Sequence, residues 1–181
     1  MRDLSLHILD LIENSIRAEA TWISVTVAEN HQKDTMEVII EDNGTGLRVT
    51  PEEAMDPFYT TKKGKRTGLG LALFQAAAER AGGRLVVGKS SLGGVAVKAL
   101  MQLSHVDRSP LGDLAATLSS IVCTNPGIEL WCRLLVDKQE CMVRVTDVAK
   151  EFPVGERCGL AVARRLSEKI KQGLTVIGVT E

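Results

Sequence analysis

Residues 22–42 carry the pattern that most restricts the fold of this chain. The segments "WISVTVAE" and "MEVIIED" are alternating or rich in β-branched residues, and the polar turn "NHQKD" joins them. Such a pair predicts an antiparallel β-hairpin. The second strand ends at Asp42, and a loop with Gly44 and Gly46 follows directly. We therefore expect a carboxylate at the end of a sheet strand, beside a glycine-rich turn.

The segment before this hairpin has the period of an α-helix from Asp3 to Ala18. Polar residues recur at steps of four and three, and this stripe consists of Asp3, His7, Asp10, Asn14 and Arg17. Leu4, Ile8, Leu11 and Ala18 form an apolar stripe beside it. The pattern is typical of a surface helix, on which Glu13 and Arg17, one turn apart, fit a solvent-exposed ion pair.

The hairpin is followed by the loop "GTGLRVTPEEAMDPFYTTKKGKRTG", whose length is typical of a lid or of disorder. The segment "GLGLALFQAAAERAGG" then predicts a helix that stops at Gly82 and Gly83. The segments "RLVVGKSS" and "GGVAVKALMQL" predict a second hairpin with Gly93 and Gly94 at its turn.

Three interpretations of the loop after Asp42 are open from the residues alone. A calcium loop is disfavoured because "DNGTGLRVTPEE" lacks the middle oxygen ligands. A plain turn explains Asn43 and Gly44, but it leaves Gly46 and the second glycine cluster "TGLGL" unexplained. The third interpretation is a nucleotide floor, since glycines admit a ligand to the backbone and N–H groups at a helix start bind phosphate. The cations before that helix are Lys62, Lys63, Lys65 and Arg66.

Four segments in this order resemble the boxes of the GHKL superfamily of ATP-binding domains. They are "LDLIENSIRA", "EDNGTGL", "DPFYTTKK" and "RTGLGLAL". The superfamily includes gyrase, the heat-shock chaperone, histidine kinases and the MutL mismatch-repair proteins, and the resemblance covers about residues 1–104. It implies a two-layer α/β sandwich of the Bergerat type, with a mixed sheet, helices on one face and ATP beneath a lid.

The resemblance also implies roles for individual residues toward ATP and Mg²⁺. Asn14 matches the asparagine that holds magnesium, and Asp42 matches the aspartate that accepts a hydrogen bond from the adenine amino group. Gly44 and Gly46 match glycines that leave room for the purine. In the lid box, a hydroxyl or lysine reaches the terminal phosphate, and the nucleotide-binding residues there are Phe58, Thr60, Thr61 and Lys62. The phosphate cradle is Gly68, Leu69 and Gly70.

Two positions bear on the branch of the superfamily. Hydrolysing members carry a glutamate general base four residues before the asparagine, and here that position is Asp10, one methylene shorter. They usually carry an acid three residues after the asparagine, where this chain has Arg17, as kinases have a cation there. We therefore expect Asp10, Arg17 and Lys62 as catalytic residues and favour a kinase.

The sequence also suggests how such a kinase is used. Only 13 residues precede Asn14, so we expect the phosphoacceptor on a separate protein. An ATP-gated switch without phosphotransfer and a slow ATPase using Asp10 remain alternatives. The net charge of −1 and the apolar content of 44% give no attraction to nucleic acid or membrane, and we expect a cytoplasmic protein. Cys123, Cys132, Cys141 and Cys158 are expected to be reduced core thiols.

Residues 107–181 are expected to form a small α/β domain. The predicted order is a helix capped by Ser109 with Pro110 in its first turn, a hairpin "IELWCRLLV" and "ECMVRVTDV", a helix "ERCGLAVARRLSEKIKQG" and a strand "LTVIGV". This order suggests a degenerate half-copy of residues 1–104, in which Asp147 aligns with Asp42. Ser119 and Ala115 take the places of Asn14 and Asp10. We expect a partner-binding or homodimerising role for it.

Overall fold

The computed structural model describes residues 3–47, 49–55 and 69–179. These residues form one six-stranded sheet in the order β3-β4-β2-β1-β5-β6. The strands are β1 (Trp22–Asn30), β2 (Thr35–Asp42), β3 (Arg84–Lys89), β4 (Val95–Gln102), β5 (Glu129–Val136) and β6 (Gln139–Arg144). β1 and β5 are parallel and every other neighbouring pair is antiparallel, so the sheet is mixed. Both predicted hairpins of the first 104 residues are confirmed.

The helices are α1 (Leu4–Arg17), α2 (Pro51–Met55), α3 (Leu69–Arg80), α4 (Leu114–Thr124), α5 (Val145–Ala149) and α6 (Leu160–Ile177). Buried residues alternate along β1, β2 and β5, and the register places Ile23, Asp42 and Leu130 side by side on one face. Helices α1, α3, α4 and α6 share one hydrophobic core with that face. The predicted two-layer α/β sandwich with helices on one face is therefore confirmed.

The N-terminus of α1 is stabilised by a side-chain cap and by backbone hydrogen bonds to another segment. Asp3 caps the helix by accepting the N–H of Leu6 at 3.1 Å. The carbonyl oxygens of Pro110 and Leu111 accept the N–H groups of Leu4 and Ser5, each at 2.9 Å. Because Pro110 and Leu111 bind the N-terminus of α1, they do not begin a helix themselves. The predicted Ser109 cap with Pro110 in the first helical turn is wrong, and α4 begins at Leu114 with Asp113 as its cap.

A short helix, α2, lies inside the segment predicted as loop. Thr50 precedes it, and Glu53 returns a carboxylate to the Thr50 N–H at 3.0 Å while donating its own N–H to the Thr50 hydroxyl at 3.3 Å. This reciprocal arrangement is a capping box, with Pro51 in the first helical position. The letters "TPEE" therefore carried a helix signal that the loop prediction overlooked.

The C-terminal elements differ from the prediction at two places. The hairpin of β5 and β6 is confirmed, but Val145–Ala149 forms α5 rather than the end of a strand. The predicted strand "LTVIGV" is wrong, because α6 runs to Ile177 and is ended by Gly178 with φ +72°. Gly173 lies inside α6 and does not end it. Its lack of a side chain allows close packing on β6, because a Cβ there would lie 2.7 Å from Cys141 Sγ.

The strand order argues against the half-copy hypothesis. β5 lies parallel beside β1, so the C-terminal segment shares one sheet and one core with residues 1–104. Helices α1 and α4 precede β1 and β5 on the same face. However, β2 and β6 lie on opposite outer sides of the β1 and β5 pair. The two hairpins therefore turn in opposite senses, and no rotation superposes them. Asp147 moreover lies in α5 and not at a strand end.

The remaining expectations concern the cysteines and the membrane. All four cysteines are free thiols, but only Cys132 is buried in the core, where burial raises the pKa of its thiol to about 12, while Cys158 is exposed. The core assignment is thus correct for Cys132 and wrong for Cys158. In the described ranges, no helix combines the length and the apolar character needed to cross a bilayer.

Candidate functional site

Asp42, the last residue of β2, is a buried carboxylate with 4% of its surface exposed. Its Oδ2 accepts the Ser15 hydroxyl at 2.6 Å, and its Oδ1 accepts the N–H groups of Gly44 at 2.9 Å and Val95 at 3.1 Å. Burial of a carboxylate is costly unless hydrogen bonds replace water, and here α1, the following loop and β4 each provide one donor. The side chain is therefore fixed in one orientation at the end of the sheet.

Three glycines surround Asp42 for different reasons. A Cβ on Gly94 would lie 2.0 Å from Asp42 Oδ1, and one on Gly44 would lie 2.7 Å from the carbonyl oxygen of Ala18. Gly46 has φ +80°, a conformation that side chains disfavour, and no described residue lies within 4 Å of its Cβ position. Gly44 thus allows the end of α1 and Asp42 to approach its backbone.

Asn43 has a structural role beside the site. Its Oδ1 accepts the N–H groups of Thr21 and Trp22, each at 2.9 Å, and its Nδ2 donates to the Thr21 hydroxyl at 3.0 Å. These bonds tie the loop after β2 to the start of β1. Asp42 thus lies in the candidate site, and the next residue, Asn43, fixes the loop that follows it.

Asn14 and Arg17 lie together on the predicted polar stripe of α1. Arg17 Nη1 donates to Asn14 Oδ1 at 2.9 Å, and Nη2 donates to Glu13 Oε2 at 2.7 Å. The Arg17–Glu13 ion pair predicted from the spacing is confirmed. Asn14 immediately precedes Ser15, whose hydroxyl donates to Asp42 Oδ2 at 2.6 Å.

Asp10 lies against the first turn of α3. A Cβ on Gly70 would be 1.7 Å from Asp10 Oδ2, so any other residue at position 70 would force the carboxylate to move. The structure thereby brings together two predicted site residues that are 60 positions apart in the sequence. Free N–H groups at a helix start favour anions, and the Asp10 carboxylate is adjacent to that end of α3.

His7 fills the contact between α1 and α3 one turn before Asp10. Its ring stacks on Phe74 with centroids 4.9 Å apart and planes inclined by 14°. Burial lowers the pKa of His7 to about 4, and no described residue forms a hydrogen bond with its buried Nδ1. The ring is therefore neutral at neutral pH, and His7 acts as a packing residue between α1 and α3.

Several predicted residues lie outside the described part of the chain. These are Phe58, Thr60, Thr61, Lys62 and Gly68. Leu69 is the first residue of α3. Within the described ranges, no cluster of three or more His, Cys, Asp and Glu side chains is able to hold a metal ion.

Two residues of the site, Ser15 and Gly94, have no assigned role there in the sequence-based prediction. Ser15 lies inside the segment "ENSIRA", directly after Asn14, in the helix that carries the predicted site residues. Gly94 was assigned only to a hairpin turn, although its N–H also donates to the Asp42 carbonyl oxygen at 3.0 Å. No local pattern relates Gly94 to Asp42, because their contact depends on the pairing of β2 with β4.

Three solved structures are similar to this chain at low sequence identity, and the first of them shows the same fold. The N-terminal domain of a DNA repair protein has a TM-score of 0.51 and 12% identity over 79% of this chain, which spans about half (52%) of that structure. The ATP-binding domain of PrrB from Mycobacterium tuberculosis has a TM-score of 0.40 and 24% identity, covering 55% of this chain and 67% of that one. The ATPase domain of MutL from Aquifex aeolicus, complexed with ADP, has a TM-score of 0.48 and 14% identity, covering 94% and 70%.

The sequence comparisons are more specific. No curated protein matches the sequence. The family model described as histidine kinase-, DNA gyrase B- and HSP90-like ATPase matches residues 2–105. That range is more than half of the 181-residue chain, and Asn14, Asp42 and Gly70 lie within it. The chain therefore belongs to the family of histidine kinase-, DNA gyrase B- and HSP90-like ATPases and carries an ATP-binding domain of this type.

Proposed function

We propose that this chain binds ATP together with magnesium at the site between α1, α3 and the end of β2, and transfers the terminal phosphoryl group to a separate protein. The observation that carries the nucleotide assignment is the unequal use of the two Asp42 oxygens. Oδ1 accepts two N–H groups, whereas Oδ2 accepts only the Ser15 hydroxyl among the described residues. A carboxylate oxygen has two lone pairs, so Oδ2 retains one for the amino group of adenine.

Asn14 is the residue that would hold magnesium. Magnesium prefers oxygen ligands and is usually bound in nucleotide sites by one or two protein oxygens with phosphates and water. The Asn14 amide oxygen fits this chemistry, since it is partly accessible and accepts a cationic donor, Arg17, at 2.9 Å. When bound, the metal supplies positive charge to the phosphates.

Arg17 supports phosphoryl transfer over hydrolysis. In transfer, the acceptor side chain loses its proton and bonds to the terminal phosphorus, while the bond to the bridging oxygen breaks and ADP leaves. A guanidinium beside the phosphates stabilises the charge on the transferring group. Arg17 stands on α1 one turn after Asn14 and presents its donors on the Asn14 side of the helix.

Hydrolysis is the second candidate, and the position of Asp10 favours it. The carboxylate is next to Gly70 at the start of α3, where a phosphate would bind. As a general base it would take the proton of a water that attacks the terminal phosphorus. Its shorter side chain and its buried Oδ2 restrict this reach, and we therefore place hydrolysis second.

The test combines a binding titration with two phosphate measurements. The purified chain is given ATP labelled at the terminal phosphate with magnesium, alone and with a soluble protein mixture. Tight binding, little free phosphate and label on a second protein that is lost in Arg17→Gln would support transfer. Steady phosphate release that disappears in Asp10→Ala would support hydrolysis. Binding without label transfer or release would indicate a switch, and no ATP binding would contradict the proposal.

The partner proposal concerns the acceptor and the C-terminal segment. We assign the acceptor to another protein and keep a partner-binding or dimerising role for residues 107–181 as a prediction. In a gel-filtration measurement, an increase in apparent mass upon addition of ATP with magnesium would support dimerisation of the chain.

A further inference from the structure

The guanidinium of Arg17 connects two acceptors on the exposed side of α1. It donates to Glu13 Oε2 at 2.7 Å and to Asn14 Oδ1 at 2.9 Å. The charged side chains are half exposed, at 49% for Arg17 and 47% for Glu13. One arginine therefore joins a carboxylate to the amide oxygen that the proposed function assigns to magnesium.

Two cations on the Asn14 oxygen would repel each other. Magnesium requires nearly octahedral oxygen ligands at roughly 2.0–2.1 Å, so its shell fills the space around the oxygen that it binds. A guanidinium nitrogen at 2.9 Å from the same oxygen occupies part of that space and repels the metal. Binding of Arg17 and binding of magnesium at the Asn14 oxygen therefore weaken each other.

We infer that Arg17 competes with magnesium for Asn14 Oδ1, and that Glu13 controls this competition by holding the guanidinium. The inference rests on the proposed function, because it requires ATP with magnesium at this site. It assigns Arg17 and Glu13 as residues that set the magnesium requirement of nucleotide binding. In the absence of metal, the guanidinium supplies the positive charge that the phosphates require.

The exposure of the pair makes such an exchange feasible. Ion pairs between exposed side chains are weak, so the arriving nucleotide and metal are able to separate Arg17 from Glu13 and Asn14. The competing interpretation is that Glu13 and Arg17 only stabilise α1 as a pair one turn apart. In that case removal of either partner has the same effect, whereas competition predicts effects of opposite sign.

The opposite signs follow from the charges. Arg17→Gln removes the competitor, so the magnesium concentration for half-maximal ATP binding falls by roughly three- to tenfold, and ATP binding without metal weakens. Glu13→Gln releases the guanidinium, so that concentration rises by about the same factor and ATP binding without metal becomes tighter. Arg17→Lys keeps the charge but loses the two-pronged contact, so its value lies between wild type and Arg17→Gln.

The experiment measures ATP affinity by calorimetry, first in EDTA and then at increasing free magnesium, for wild type and these three variants. Glu37→Gln is the matched control, because it breaks another exposed ion pair, with Lys98 at 2.9 Å, away from the site. Its magnesium dependence is expected to equal that of wild type. The readout is binding, so no activity is needed.

Each outcome decides a different statement. Opposite shifts for Arg17→Gln and Glu13→Gln, with Arg17→Lys in between, support the competition. Equal shifts in the same direction, or an Arg17→Lys variant identical to wild type, overturn it while the proposed function stands. If wild type binds no ATP at any magnesium concentration, the proposed function fails and the inference fails with it.

Discussion

The segment from α1 to β4 and the segment from α4 to α6 are both made of helices and hairpins on one sheet, but they bury different side chains. Among the described residues, the buried polar or charged side chains all lie in the first segment. They are Ser5, His7, Ser15, Glu29, Asp42 and Ser90. In the second segment, the buried side chains are apolar residues and Cys132. Burial of polar groups is costly unless they are paired, so the first segment carries a cost that the second segment does not.

Two aspartates make the same contrast at single positions. Asp42 is buried and held by a hydroxyl and two N–H groups, whereas Asp147 is exposed and paired with Lys150 at 2.9 Å. The hydrogen bond and charge of Lys150 lower the pKa of Asp147, as expected of a surface carboxylate beside a cation. Similar element order therefore does not produce a similar site, because the site depends on buried donors and close backbones.

The largest expected effect is on nucleotide binding by Asp42→Asn. The amide oxygen can still accept the N–H groups of Gly44 and Val95, but an NH₂ group replaces Oδ2 and opposes the amino group of adenine. ATP affinity is expected to fall roughly 100-fold, while inosine triphosphate, which carries a carbonyl there, loses much less. Calorimetry of both nucleotides measures this. Asp147→Asn is the matched control. An equal loss of ATP affinity in Asp42→Asn and Asp147→Asn would contradict a nucleotide site at Asp42.

A second contrast compares two closely packed glycines. In Gly94→Ala the new methyl meets Asp42 Oδ1 at 2.0 Å and the Gly44 nitrogen at 2.6 Å, so the loop has to shift, at a cost of about 3 kcal/mol. In Gly173→Ala the methyl meets only side chains, Cys141 Sγ at 2.7 Å and Leu134 at 3.2 Å, and helix propensity recovers roughly 1 kcal/mol. Urea unfolding of both variants tests this ranking, and a larger loss in Gly173→Ala would reverse the comparison.

The third prediction concerns pH and His7. The folded-state pKa of about 4 lies below the ordinary 6.5, so the unfolded chain takes up a proton first as the pH falls. The contribution of neutral His7 to the free energy of unfolding is therefore complete above pH 6.5. It is lost as the pH falls toward 4, by at most about 3 kcal/mol. Urea unfolding at pH 7 and pH 4.5 measures it. His7→Leu is expected to reduce this pH dependence, and an unchanged dependence would exclude His7 as its source.

The smallest expected effect is at the exposed ion pairs of the segment from α4 to α6. Glu151 accepts Arg165 at 2.8 Å and Lys169 at 2.7 Å, with side chains about one-third exposed or more. Glu151→Gln is expected to lower the free energy of unfolding by less than about 1 kcal/mol and to leave ATP affinity unchanged. Thermal unfolding and ATP calorimetry on the same sample check both statements. A tenfold loss of ATP affinity would show that this half also contributes to the site.

The sequence predicted the local elements of the first half well. The stripe with Asp10 and Asn14, both hairpins and the position of Asp42 at a strand end all follow from periods of 3.6 and 2 residues. The contact of Gly94 with Asp42 was not predictable, because it depends on strand pairing between segments about 50 residues apart. The contact of Asp10 with Gly70 likewise requires the packing of α1 on α3.

In the second half, tertiary contacts overrode local signals. Gly173 reads as a helix stop, but the chain continues as α6 because Ile170, Gly173 and Ile177 form a buried stripe. Ser109 and Pro110 read as a helix start, but their segment caps α1 instead. In both cases the element type depended on a neighbour that is distant in the sequence, which no local pattern specifies.

The most direct test of the site is an amide NMR titration of the isotopically labelled chain with a non-hydrolysable ATP analogue and magnesium. We expect saturable shifts of the amide signals of Ser15, Gly44, Gly70 and Val95, and little change along β5 and β6. Shifts confined to β5, β6 and α6, or no saturable shift at any concentration, would contradict nucleotide binding between α1, α3 and the end of β2.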